Sequence, residues 1–110
     1  MARVALLCPD LLFGSKVEGA LAAAGHEVVR YDREDKAREA AGAADVLVVD
    51  LTTDAIDGAA LGGAGVPTLG FYSHVDVDTR RRAEEAGFDL VVPRSRMARE
   101  TAALVERLAA

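Results

Sequence analysis

"DVLVVDL", Asp45 to Leu51, is the stretch on which the fold turns. Between its two aspartates stand four consecutive apolar residues, three of them valine, with no polar residue interleaved. A strand with one face in water alternates polar and apolar side chains, whereas a strand covered on both faces of a parallel sheet does not. The run therefore predicts a central parallel strand that ends on a carboxylate, Asp50, with a second acid and a glycine, Asp57-Gly58, seven positions further on.

Four other runs of similar character flank it: Arg3 to Cys8, Glu27 to Tyr31, Val66 to Tyr72 and Asp89 to Val92. The segments between them read as helices. "SKVEGALAAAG" (15–25) offers Ser15 and Glu18 as a capping box, an apolar stripe of Val17, Leu21 and Ala24, and Gly25 as the stop. "REDKAREAAGA" (33–43) predicts an alanine-faced helix, and Met97, Thr101, Leu104, Val105 and Leu108 set the stripe of a last helix. Four glycines across Gly58 to Gly65 leave room for only a short helix between Asp54 and Leu61. "DVDTRRRAEEAG" (76–87) is helical in pattern but has only Val77, Ala83 and Ala86 to bury, so its hold on the sheet is expected to be slight.

Strict alternation of strand and helix gives right-handed crossovers and a parallel sheet with helices on both sides. Five strands in this length predict a flavodoxin-like α/β sandwich with strand order 2-1-3-4-5. Its crevice then lies outside the carboxyl ends of strands 1 and 3, where the winding reverses. Asp50 ends strand 3 and is expected to face that crevice.

At 110 residues the chain is read as one domain, 1–110. No apolar run approaches a membrane span, and no basic stretch leads into a long apolar one, so a soluble, cytoplasmic protein is expected. A net charge of -5, with 10 Asp+Glu against 6 Lys+Arg in residues 1 to 55, argues against nucleic acid as a partner. The single cysteine, Cys8, is expected to be a small buried thiol and not a nucleophile.

The loops meeting at the crevice supply Asp10, Asp50, Asp54, Ser73, His74, Arg94 and Ser95. "CPDLLFGS" (8–15) is neither the G-x-G-x-x-G turn of a dinucleotide site nor the Ser/Thr-rich phosphate loop of a flavin site. Asp50 has a plain role open to it, accepting from the backbone of Thr52 or Thr53. Ser73 and Asp76 have capping-box spacing, and Ser95 fits an N-cap of the last helix.

Asp50 with the Asp57-Gly58 turn, "AGHEV" (24–28), "VPTLGF" (66–71) and "AEEAGFDLVVP" (83–93) together resemble the CheY-like receiver domain of two-component response regulators, over nearly the whole chain. The resemblance implies that Asp50 holds the phosphoacceptor position. It further implies an acidic, magnesium-binding pair at the end of strand 1, a hydroxyl residue after strand 4 and a lysine after strand 5. Ungapped counting puts Cys8 and Pro9 at the acidic pair, Tyr72 at the hydroxyl position with Ser73 one further along, and Arg94 at the lysine. Asp10, one residue past the pair, is the candidate substitute.

These departures imply a stand-alone pseudo-receiver that signals through contacts with a protein partner, without normal Mg²⁺-dependent phosphorylation and without enzymatic activity or a cofactor. The favoured contact surface is the strand 4 to strand 5 side with "FYSHVD" (71–76), and homodimerisation is left open. The alternative is a phosphorylatable single-domain response regulator, with Mg²⁺ held by Asp10 and Asp50. A third class is a small-anion or nucleotide binder that uses Arg94, Ser95 and the start of the last helix. In the favoured reading Arg94 is expected to bridge to Asp50 and latch the strand 5 loop over the crevice.

Overall fold

The computed structural model describes all of residues 1–110. Five strands, β1 (Arg3–Leu7), β2 (Glu27–Tyr31), β3 (Val46–Asp50), β4 (Thr68–Tyr72) and β5 (Leu90–Pro93), form one parallel sheet in the order β2-β1-β3-β4-β5. This is the flavodoxin-like architecture. The central run is buried at every position from Val46 to Asp50, and β4 likewise from Thr68 to Tyr72, as continuous apolar strands require.

Four helices flank the sheet: α1 (Leu11–Ala23), α2 (Glu34–Ala41), α3 (Val77–Glu85) and α4 (Arg94–Ala109). Alternate strand side chains feed two cores. One gathers Val4, Leu6, Val46, Val48, Leu69 and Phe71 beneath α1 and α4. The other gathers Leu7, Leu47, Val49, Leu61, Tyr72 and Ala83 beneath α2, α3 and the β3–β4 loop. Met97, Thr101, Leu104 and Val105 form the buried face of α4, as their spacing predicts. The helix kinks at Glu100 (φ -122°, ψ 28°), next to Thr101, whose Oγ1 donates to the Met97 carbonyl at 2.6 Å.

Local chemistry moves three boundaries. Helix α1 begins four residues before Ser15: Asp10 is its N-cap, and Ser15 and Glu18 lie inside the helix. Asp10 wins because it directly precedes the first helical residue and its carboxylate accepts from Phe13 N at 3.0 Å. Gly25 (φ 88°) does close α1, with Gly25 N donating to Ala22 O and His26 N to Leu21 O. Helix α4 starts at Arg94 with Pro93 at the N-cap, so Ser95 is inside the helix and no side chain caps it. The β3–β4 crossover is reduced to one 3₁₀ turn, Gly58–Leu61. Gly62 follows it against the backbone carbonyl of Ala86, where a Cβ has no room.

Candidate functional site

The carboxyl ends of the strands bring Asp10, Asp50, Ser73, His74 and Arg94 to one end of the sheet, but not into one cluster. Asp50 is 1% exposed. Its Oδ1 accepts from Thr52 N at 2.7 Å and from Thr52 Oγ1 at 2.5 Å, which is the turn-capping role open to a short acid at a strand end. Its Oδ2 faces Cys8 Sγ at 3.6 Å. Burial, and then the negative charge of Asp50, push the Cys8 thiol up to about 12. A thiol with that pKa stays protonated at neutral pH, so it is a weak donor to the carboxylate and not a nucleophile.

Asp10 points elsewhere. Its Oδ1 caps α1 and its Oδ2 pairs with Arg94 Nη2 at 3.3 Å. The Phe13 backbone N–H, then the Arg94 charge, hold its carboxyl below the usual carboxylate value. The Arg94 guanidinium also lies over the Phe13 ring, 4.2 Å from its centroid. The expected bridge from Arg94 to Asp50 is therefore replaced by one from Arg94 to Asp10. The junction of β5 with α4 is still tied across the crevice, but to the start of α1. An aromatic face and a half-exposed acid offer the arginine a cation–π contact and an ion pair, while Asp50 is already satisfied by Thr52.

Of the two hydroxyl candidates, Tyr72 is 5% exposed and packs in the core on the α2 side. Ser73 lines a cleft of about 390 Å³ with Phe13, Thr52, His74, Arg94 and Ser95. Phe71 is wholly buried as well, packed against Phe13 with ring centroids 5.0 Å apart and the ring planes tilted by 49°. The apolar side chains that "FYSHVD" and its neighbour do expose are Val75, at 76%, and Val77, at 58%. Phe13 is the crevice residue that sequence reading passed over, while Thr52 N meets Asp50 as the turn-capping role expects. Phe13 gives no signal in the sequence, because a cap at Ser15 starts α1 five residues too late.

Asp54 and Asp57 lie along a neighbouring cleft of about 430 Å³, with Glu34, Thr79 and Arg82. No group of three or more His, Cys, Asp and Glu side chains has an arrangement that could hold a metal ion.

The sequence matches no family model and no curated protein. Solved structures do match. The receiver domain of the response regulator NarL from Mycobacterium tuberculosis superposes with a TM-score of 0.85 at 24% identity, covering 98% of this chain and 95% of that one. The receiver domain of sensor histidine kinase PA1611 from Pseudomonas aeruginosa, with a magnesium ion coordinated in its active-site cleft, gives 0.79 at 15% identity, covering 98% and 97%. NtrX from Brucella abortus, in complex with ADP, gives 0.84 at 19% identity, covering 98% of this chain, which spans only 27% of NtrX. With the strand order and the acid-ended central strand, these superpositions establish that the chain has the fold of response-regulator receiver domains.

Proposed function

We propose that the chain is a receiver-type signalling module that works through protein contacts and does not run metal-dependent phosphorylation. The observation that carries this reading is Cys8 Sγ facing Asp50 Oδ2 at 3.6 Å, where a magnesium site needs an oxygen ligand. Mg²⁺ binds hard oxygen donors, and a protonated thiol is not one. The one nearby carboxylate, Asp10, caps α1 and pairs with Arg94. The residues at this end of the sheet therefore do not fit a magnesium ion, in contrast to the cleft of the PA1611 receiver domain. Phosphoryl transfer to an acid needs the charge on the transferring oxygens neutralised, and Arg94 is engaged by Asp10 and the Phe13 ring.

In this reading Asp50 is a structural acid that shapes the β3–β4 loop through Thr52. The Arg94, Asp10 and Phe13 contacts keep the start of α1 and the start of α4 together without a phosphate. Signalling then depends on a partner that reads the surface, and the β4–α3 loop with α3 is the favoured contact region. It exposes Val75 and Val77, and Ala83 is the only buried residue of the helix.

The test is direct: the protein is incubated with Mg²⁺ and a small acyl phosphate, and its mass is taken promptly in the cold because an aspartyl phosphate is labile. An unchanged mass is expected. A gain of one phosphoryl group that disappears in Asp50→Asn would overturn the proposal and restore the phosphorylatable reading, with Asp10 swinging from Arg94 to the metal.

A further inference from the structure

Strand β2 is terminal in the sheet, and its one ladder partner is β1. Glu27 N donates to the Ala2 carbonyl, and the Tyr31 carbonyl accepts from Cys8 N. In a ladder, residues that bond one neighbour alternate with residues whose main chain faces away. Glu27, Val29 and Tyr31 thus bond β1, and the N–H and C=O groups of Val28 and Arg30 point off the sheet. The opposite edge, β5, is one residue shorter and closes on Pro93, which has no N–H to offer. Strand β2, "EVVRY", has neither the proline nor the lysine that commonly blunts an edge.

Beside this edge lies an apolar groove of about 230 Å³ whose wall includes Val29, Tyr31, Ala40, Ala43 and Ala44. It arises because α2 is only eight residues long and buries only alanines. Val29 is left 49% exposed in it.

We propose that this edge pairs with the same edge of a second copy of the chain, β2 antiparallel to β2 about a two-fold axis at Val29. The two five-stranded sheets then become one. Centring on Val29 sets Val28 opposite Arg30 of the second copy, and these are the residues whose main-chain groups point outward, so each pair exchanges two hydrogen bonds. The two Val29 side chains meet on the axis and close the groove. Glu27 falls opposite Tyr31 of the second copy, whose phenol can donate to the carboxylate. Diagonal to Glu27 lies Arg33 of that copy, in extended backbone (φ -129°, ψ 138°) and held by its own Asp35, so this pairing adds charge complementarity only through a shared arginine. Neighbouring registers are worse: centring on Arg30 opposes two guanidinium groups, and centring on Val28 sets Glu27 against Val29. Charge and apolar surface thus select one register of a self-complementary, isologous contact.

Sedimentation of the full chain over a range of concentrations tests this. A reversible monomer–dimer equilibrium is expected, with the Val28 and Arg30 amides exchanging more slowly as the dimer fills. Val29→Lys places two ammonium groups on the axis and should weaken association by about 10-fold or more. Because Val29 is half exposed in the monomer, the substitution should leave monomer unfolding unchanged. A chain that stays monomeric at every concentration overturns the proposal and leaves the edge to a partner of another sequence. So does a dimer whose affinity is unchanged by Val29→Lys, or whose Val28 and Arg30 amides exchange as in the monomer.

Discussion

On one face of the sheet, α1 and α4 bring down Phe13, Val17, Leu21, Met97, Leu104 and Val105. On the other face, α2 and α3 bring Ala37, Ala41 and Ala83, and the gap between them is filled by a loop with Ile56 and Leu61. The first face is built from two helices of 13 and 16 residues, the second from helices of 8 and 9 residues and one 3₁₀ turn. Burial scales with side-chain size, so the α1/α4 face carries most of the helix-to-sheet adhesion. The α2/α3 face is held to the sheet by smaller side chains. The firm face holds the fold, while the lightly held face supplies the exposed valines and the open groove on which partner binding is proposed.

The largest effect expected from this contrast is on stability. Leu21→Ala empties a fully buried site on the α1/α4 face and should cost about 2–5 kcal/mol, measured by denaturant unfolding. Ile56→Ala, in a loop that can collapse onto the space it leaves, should cost less than about 2 kcal/mol. Equal costs would erase the distinction between the faces.

Native-state hydrogen exchange should resolve a smaller difference. Residues 76 to 86, with Ala83 as the only buried side chain of α3, are expected to open with less free energy than residues 97 to 108 of α4. Equal protection would mean that α3 is covered by something besides this sheet, and a concentration dependence of that protection would place its cover on another copy.

The smallest effect concerns the two capping acids, one on each face. The Phe13 N–H lowers the carboxyl of Asp10, and the Thr79 hydroxyl lowers that of Asp76. A carboxyl whose folded pKa is depressed contributes stability above its unfolded pKa, near 4, and loses it as pH falls through the lower folded value. Acidification below about pH 4 should therefore weaken both helix starts. Asp10→Ala should lower the global unfolding midpoint at neutral pH, because α1 is docked through Phe13, Val17 and Leu21. Asp76→Ala should speed exchange within α3 and leave global unfolding nearly unmoved. Reversal of that pattern would invert the roles of the two faces.

The apolar runs by themselves determined the strands, their parallel pairing and their order, because a continuous Val/Leu run has no solvent face to offer and alternating βα units close in few ways. The position of Asp50 at the end of β3 followed from the same count. The bond from Thr52 N to Asp50 was open to the sequence as a local turn, whereas tertiary structure alone decided which acid the arginine at that end meets. The sequence contains Asp10, Asp50 and Arg94 without stating which acid the arginine meets. That choice rests on Asp10 standing at the N-cap, on Phe13 offering its ring to the guanidinium and on Thr52 satisfying Asp50 first. The start of α1 and the core that each of Phe71 and Tyr72 enters were hidden as well. Caps compete locally within a residue or two, and which side of a fully buried strand faces which helix depends on register with neighbours distant in the chain.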